Sequence, residues 1–196
     1  MSDADKKALW DRWGALTVSL LSMRVAIERE HALWEHLDVT NRAETRIKSS
    51  VGGKFKIKIT DHAAALEDQS TLASAALVLS YSMAEAAALE RLGLDSRKVH
   101  GIEEWGARLL ESNTSSWDDV EGGLAGVVEV AVIRNLVVHG PLTIDAASAK
   151  RLRKAGCTTL DAGDQVVLDL DIVGGYRHRL RHLLEAGGLK RKRRAG

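Results

Sequence analysis

The chain of 196 residues contains a single proline, Pro141. Proline interrupts helix interiors because it lacks a backbone N–H donor and its ring clashes with the preceding turn, so long stretches without it allow long helices. Alanine, leucine, glutamate and arginine, which all favour helices, are abundant. The length suits one folding unit with a sizeable core. We therefore predict a mainly α fold with one helical domain, residues 1–186, and a basic C-terminal tail, residues 187–196.

The composition excludes several classes of protein. Cys157 is the single cysteine, so the chain forms neither an intramolecular disulfide nor a CxxC metal site. We expect no apolar run long enough to cross a membrane, and the N-terminal MSDADKK is not a signal peptide. We therefore expect a cytoplasmic protein without a membrane partner.

Polar N-cap residues, apolar periodicity and C-terminal glycines delimit the helices that the sequence predicts. These helices run from Asp3 or Asp5 to about His36, from Thr60 or Asp61 to about Leu92, from Ile102 to Glu111, from about Trp117 to His139, from Asp145 to about Ala155, and from Asp171 through Leu183. The fourth has an alternative, because VVEVAVI and LVV are β-branched runs that also suit a strand. The serine and acid start NTSSWDDVE and the spacing of the polar residues favour the helix.

Two short segments have strand patterns. In KFKIKIT, Lys54, Lys56 and Lys58 alternate with apolar residues, which predicts a strand with one basic face. Such lysines either protect a sheet edge from other chains or form the basic lip of a nucleic-acid groove. CTTLDAGDQVVLDLD predicts a β-hairpin with its turn at residues 162–163. The predicted architecture is thus a helical bundle with a small C-terminal β-hairpin.

The formal net charge of +1 conceals an uneven distribution along the chain. Residues 150–196 carry 12 Lys/Arg and 5 Asp/Glu, a net of +7, and the preceding 149 residues carry 16 and 22, a net of −6. A basic end either binds a polyanion such as RNA or forms a solvated tail. The candidate RNA-binding residues of this end are Lys190, Arg191, Lys192, Arg193 and Arg194.

Three polar residues interrupt the aliphatic segment IRNLVVHGP. At about 100° per residue, Arg134, Asn135 and His139 fall on one side of a helix and most of the aliphatic residues on the other, with Val138 between Arg134 and Asn135. Asn135 and His139 are four residues apart, so they are neighbours on that side. A histidine that exchanges a proton near neutral pH, beside an arginine suited to phosphate, is a minimal set for phosphodiester cleavage. The same residues also serve as salt-bridge or rim contacts on ordinary helices, so the pattern alone leaves both interpretations open.

The segment RNLVVH resembles the R-x4-H motif of HEPN domains, with asparagine directly after the arginine. SYSMAEAAALERL, residues 80–92, is similar to the second long helix of that family. The order of helix, hairpin and basic helix after the motif resembles the branch associated with RNA toxins and phage defence. The resemblance covers residues 60–186, and it implies a helical bundle that acts as a homodimer, with two copies of the motif facing one another across a cleft.

The resemblance also implies a chemistry, metal-independent cleavage of RNA that leaves a 2′,3′-cyclic phosphate and uses no cofactor. His139 would act as general base or acid, Arg134 would stabilise the charged transition state, and Asn135 would hold the geometry. Glu85 is either a further polar member of the cleft or an ordinary interhelical carboxylate. The implied partners are RNA, a second copy of the chain, and an antitoxin or larger defence assembly that restrains the nuclease. The alternative is a non-catalytic HEPN-like module for nucleotide or RNA binding or for assembly.

A second pair of polar residues lies in the segment YRHRLRH. His178 and His182 are four residues apart, a spacing that suits a zinc ion. The sequence offers no third ligand of matching context, and arginines surround the pair. We therefore interpret this segment as a basic helix that faces RNA or solvent, and we predict no metal site.

Overall fold

The computed structural model describes residues 1–35, 44–48 and 56–190. Within these ranges, seven α-helices, two 3-10 turns and one two-stranded sheet make up the regular structure, so the mainly α class is confirmed. In chain order the elements are α1 (Asp3–Glu35), β1 (Arg46–Lys48), β2 (Lys56–Lys58), α2 (Ile59–Glu67), α3 (Ser70–Leu92), a 3-10 turn (Ser96–Lys98), α4 (Ile102–Glu111), a 3-10 turn (Trp117–Asp119), α5 (Gly123–His139), α6 (Ala146–Lys154) and α7 (Leu170–Ala186).

Helix α3 is the central element of the bundle and packs against α1, α4, α5 and α7. Its fully buried alanines, Ala73, Ala84 and Ala88, let the neighbouring helices approach closely. In the described part of the chain, α3 is the one helix long and apolar enough to cross a membrane, with a mean hydropathy of 1.5 over its most apolar window. The sequence-based statement that no run has this length was therefore wrong. More than half of that window, 56%, is buried inside the bundle, as is usual for a core helix.

Several predicted helix boundaries are confirmed. Helix α4 has the predicted bounds, Ile102–Glu111. Gly93 ends α3 with a φ of +64°, the left-handed conformation that glycine adopts without strain. Asp145 caps α6, because its carboxylate accepts a hydrogen bond from the Ser148 backbone amide at 2.6 Å.

The long helix predicted over residues 61–92 is divided in two. Helix α2 ends at Glu67, and Asp68 adopts an extended backbone with φ −96° and ψ 95°. The Asp68 carboxylate accepts a hydrogen bond from the Ser70 backbone amide at 2.9 Å. An aspartate that binds a nearby backbone amide in this way competes with the continuing helix and starts a new one. The prediction of one continuous helix was wrong for this reason.

Helix α5 begins later than its predicted start at Trp117. Residues 117–119 form a 3-10 turn, which is closed by a capping box between Ser116 and Asp119. Gly122 and Gly123 follow with φ values of +75° and +57°. Two consecutive residues in the left-handed region end the turn and separate it from the helix. The strand alternative is excluded, since Gly123–His139 is helical throughout.

The predicted C-terminal β-hairpin does not form. The turn at residues 162–163 is present, with Gly163 at φ +95°. The extended segment after this turn pairs instead with residues 142–144, which directly follow Pro141. The connecting main-chain hydrogen bonds run from Ile144 N to Asp164 O at 2.9 Å and from Val166 N to Leu142 O at 2.8 Å. The hairpin prediction failed because alternation identifies an extended segment without identifying its partner.

The two-stranded sheet lies nearer the N-terminus. Strands β1 and β2 are antiparallel, and Ile47 lies opposite Ile57. Lys56 and Lys58 of β2 are exposed, and Ile57 between them is also 39% exposed, so neither face of the strand is buried. This is the C-terminal part of the predicted basic strand, and Lys54 lies outside the described residues.

Helix α7 is capped by Asp169, so the prediction that Asp171 caps this helix was wrong. Asp169 accepts a hydrogen bond from the Ile172 backbone amide at 2.7 Å, whereas Asp171 forms an ion pair with Arg24 of α1. Beyond Ala186 the chain stays packed on the bundle. Leu189 is fully buried, and its carbonyl oxygen accepts a hydrogen bond from the Trp10 indole at 2.7 Å.

A buried arginine joins α1, α3 and α7. The Arg177 residue is 6% exposed, and its guanidinium donates hydrogen bonds to the hydroxyls of Ser80 and Thr17, the latter at 2.8 Å. It also lies over the Trp13 ring, 4.8 Å from the centroid. Among the described residues no carboxylate pairs with Arg177, and desolvation lowers its pKa from 12.5 to about 10.

Candidate functional site

The residues of the candidate site lie where α5 leaves the core. The helix is buried on almost all sides from Gly126 to Ile133, and only Glu129 in that stretch is partly exposed. Arg134 and Asn135 are half-buried, and Val138 and His139 are exposed. The polar residues of the motif therefore occupy the last two turns of α5, at its open end.

Arg134 and Asn135 contact each other directly. The Arg134 Nη1 donates a hydrogen bond to Asn135 Oδ1 at 3.0 Å. The guanidinium also lies over the ring of Tyr81 on α3, 5.1 Å from the centroid. In the described part of the chain, the buried Arg134 Nε has no hydrogen-bond partner, and no carboxylate lies within ion-pair distance of Arg134. The guanidinium is thus oriented by Asn135 and Tyr81, and no residue that the structure describes acts as its direct counter-ion.

His139, the last residue of α5, is exposed, and within residues 1–35, 44–48 and 56–190 it forms no hydrogen bond or ion pair. Asn135 and His139, which helical spacing makes neighbours, therefore form no hydrogen bond with each other. The side-chain oxygen of Asn135 accepts from Arg134 instead. Helical spacing makes residues four apart neighbours, but it does not decide which of two neighbours a short amide binds.

Tyr81 and Glu85 of α3 border the arginine. Tyr81 is 5% exposed and makes an edge-to-face contact with Trp105, at 6.3 Å between centroids. Burial and then the negative charge of Glu85 raise the pKa of Tyr81 to about 12, while the positive charges of Arg134 and Arg151 act in the opposite direction. Glu85 is half-buried. Glu85 and Arg134 thus both lie close enough to Tyr81 for their charges to act on its hydroxyl.

Tyr81 is a site neighbour that the sequence did not assign. Its signal was present, because Tyr81 and Glu85 are four residues apart and interrupt the alanine-rich surface of α3. An ion pair between Arg151 of α6 and Glu103 of α4 lies on the same side, with two hydrogen bonds of 2.7 Å. Burial acts to raise the pKa of Glu103, but the hydrogen bonds from Arg151 outweigh it and hold that pKa below its ordinary value.

The basic residues predicted to bind RNA lie on other elements. Lys56 and Lys58 are exposed on β2, which packs against α2, whereas α5 packs against α3, α4, α6 and α7. Lys190 is exposed just beyond the buried Leu189. Lys54 and residues 191–194 lie outside the described residues. The structure does not bring the described lysines to the end of α5.

Comparison with known proteins gives no match for this chain among protein-family models, curated proteins or solved structures. The HEPN resemblance therefore depends on the motif RNLVVH, on its place at the end of α5 and on the helical class of the fold.

Proposed function

We propose that the chain is a HEPN-type endoribonuclease, a toxin or antiviral effector of the cytoplasm that cleaves RNA as a homodimer without a metal ion. One observation carries this proposal: the guanidinium of Arg134 has no counter-ion among the described residues, is oriented by Asn135, and lies on the same helix end as the exposed His139. An uncompensated, oriented guanidinium suits a phosphate, which it binds with two parallel hydrogen bonds.

The proposed reaction uses the substrate's own nucleophile. The ribose 2′-oxygen attacks the adjacent phosphorus, the bond to the 5′-oxygen of the next nucleotide breaks, and a 2′,3′-cyclic phosphate remains. His139 of one copy accepts the 2′-hydroxyl proton, and His139 of the other protonates the leaving oxygen. Arg134 stabilises the added negative charge on the phosphoryl oxygens. DNA lacks the 2′-hydroxyl and should not be cleaved.

The dimer is part of the proposal because a single copy supplies one histidine. Arg134 and His139 are five residues apart, a rise of about 7.5 Å along the helix. A second copy related by a two-fold axis would place another arginine and histidine on the opposite side of the same phosphate. Such a nuclease needs restraint in its own cell, and we propose an antitoxin or a larger defence assembly as the restraining partner.

The test compares cleavage of labelled RNA by the wild-type chain with cleavage by the variants Arg134→Ala and His139→Ala. His100→Ala is the matched control, because His100 is exposed and lies in the loop before α4. Loss of an acid–base group lowers such rates by about 10²–10⁴-fold, and loss of a donor that stabilises the transition-state charge lowers them by about 10²–10³-fold. We expect that loss in both site variants and none in the control, with unchanged oligomeric state by light scattering and no effect of a chelator.

Wild-type rates in both site variants would contradict the assignment of the site. RNA binding without any product would favour the second candidate, a non-catalytic HEPN-like module that binds RNA or a nucleotide or serves assembly. One observation favours that alternative: no described residue holds the His139 imidazole in a fixed orientation, whereas Arg134 is held on two sides. Only the formation of a cleavage product distinguishes the two functions, because both predict that Arg134→Ala weakens RNA binding.

A further inference from the structure

A carboxylate and two imidazoles converge on the surface between α7 and the loop that precedes α5. The Glu121 Oε2 lies 2.6 Å from His178 Nε2 and 4.0 Å from His182 Nδ1. One ligand atom from each residue lies within 4.8 Å of the other two, and the two rings are 4.3 Å apart between centroids. We propose that these three side chains bind one divalent transition-metal ion, and that zinc is the best match.

The donor set decides the class of ion. Two imidazole nitrogens and one carboxylate oxygen suit zinc and its neighbours, whereas magnesium and calcium prefer oxygen ligands throughout. With metal–ligand bonds of about 2.0–2.2 Å, the ligand atoms of a tetrahedral zinc ion lie about 3.4 Å apart. The distances from Glu121 Oε2 to the two histidine nitrogens, 2.6 Å and 4.0 Å, lie on either side of that value. The three side chains are 38–49% exposed, so small side-chain rotations bring them to it. Three protein ligands leave the fourth position to water.

The sequence argued against a metal site here on two grounds, the lack of a third ligand and the surrounding arginines, and the fold answers both. The missing third ligand is Glu121, which is distant in sequence and is brought to α7 by the loop before α5. Two of the three arginines in this segment pair with carboxylates, and the third, Arg177, is buried against the hydroxyls of Ser80 and Thr17. Arg179 pairs with Glu129 and Arg181 pairs with Glu185, each at 2.8 Å. At about 100° per residue, the two histidines share one face of α7 and the two arginines lie on either side of it.

The loop is suited to hold its ligand in place. Val120, directly before Glu121, is buried in the core, and Gly122, directly after it, has a φ of +75°. The carboxylate therefore extends from a short turn with defined ends. Helix α5 has 17 residues and separates this cluster from His139 at its other end by about 25 Å. The metal site thus stands independently of the proposed nuclease site, and the ion would join the loop to α7.

Zinc binding to the full, tag-free chain tests the proposal. After removal of bound metal by a chelator, zinc is titrated in competition with a chromophoric chelator, and cobalt absorption reports the coordination geometry. The ligand variants are His182→Ala and Glu121→Gln, and His100→Ala is the control for an exposed histidine outside the cluster. We expect one ion per chain in the wild type and the control. Loss of a direct ligand should weaken binding at least as much as loss of an outer-shell partner, about 10–100-fold.

Thermal denaturation gives a second measurement. At a free zinc concentration about 100-fold above its Kd, the wild-type Tm should rise by about 5–10 °C, and the ligand variants should lose this rise. Their Tm without zinc checks that they fold, and His182→Asn supplies a smaller change if His182→Ala does not. Absence of stoichiometric binding in the wild type, or wild-type affinity in both ligand variants, would overturn the proposal. RNA cleavage by Glu121→Gln, measured in parallel, should equal wild type, which separates this site from the nuclease proposal.

Discussion

Replacing Arg177 with methionine tests whether the buried guanidinium at the junction of α1, α3 and α7 stabilises the fold. Holding this charge away from water is unfavourable. Its pKa is lowered from 12.5 to about 10, and at about 1.36 kcal/mol per pKa unit this corresponds to about 3 kcal/mol. Because the residue is 6% exposed, solvent screens little of that cost. At neutral pH the arginine is charged in both states, so the whole cost applies.

Favourable contacts act against this cost. Hydrogen bonds from a charged donor contribute about 1.5–3 kcal/mol each, and the contact with the Trp13 ring contributes about 0.5–2 kcal/mol. The two hydroxyl partners keep other acceptors when the guanidinium is removed. The Ser80 hydroxyl donates to the Ala76 carbonyl at 2.6 Å, and the Thr17 hydroxyl donates to the Trp13 carbonyl at 2.9 Å. Methionine fills most of the same space, so we expect Arg177→Met to stay within about 1.5 kcal/mol of wild type.

Arg177→Ala is the matched variant that removes the packing as well. It leaves a cavity between three helices, and we expect a loss of about 2–5 kcal/mol, as for other truncations of large buried side chains. Urea denaturation followed by far-ultraviolet circular dichroism measures both free energies of unfolding without depending on Trp13 fluorescence. Equal destabilisation by methionine and alanine would refute the reasoning, because it would show that the guanidinium itself anchors the helices.

Two further predictions concern packing and titration. Gly187→Ala would place a Cβ 2.3 Å from Leu109 Cγ, so overpacking should cost about 1–3 kcal/mol of stability and lower the Tm. Gly174→Ala in α7 is the control, because a Cβ there has no atom within 4 Å. Equal Tm losses of the two variants in calorimetry would contradict this prediction. The two tyrosines should ionise well above pH 10 in the native chain, because burial, followed by the charges of Glu85 and Glu129 respectively, raises the pKa of Tyr81 to about 12 and that of Tyr176 above its ordinary value. Near-ultraviolet titration should show tyrosinate near pH 10 only after unfolding, and stability should fall as pH rises from 10 to 12, since the native state then holds more protons.

Local signals in the sequence located the helices well. Gly93 and Asp145 were identified as boundaries because glycine in the left-handed region and an aspartate cap act within a few residues. The errors occurred where two local signals compete. Asp68 starts a new helix inside an alanine-rich run, and Asp169 acts as the cap of α7 while Asp171 binds Arg24. The partner of the segment after residue 163 depends on tertiary structure, which alternation of residue types does not contain.

In the candidate site, too, local features were predictable and tertiary contacts were not. The helical spacing of about 100° per residue placed Arg134, Asn135 and His139 on one side of α5, and this prediction depends only on helical geometry. The contacts of that side with α3 were not available from spacing, so Tyr81 was not assigned. The third member of the histidine cluster, Glu121, is separated from His178 by 56 intervening positions, and only the fold brings them together. Residues on one helix are therefore predictable as a group, whereas residues on two elements are not.

The hydrogen bond between Trp10 and the carbonyl of Leu189 has a consequence for biosynthesis, since it joins positions 179 residues apart. The ribosome releases the first helix long before it makes Leu189. Until then Trp10 and the neighbouring Trp13, both buried in the finished fold, lack the partners on α7 and beyond it that cover them. Helices α2 and α3 also pack against α1. The surface around Trp10 and Trp13 is completed only when α7 and Leu189 have emerged, and until then it is open to a chaperone.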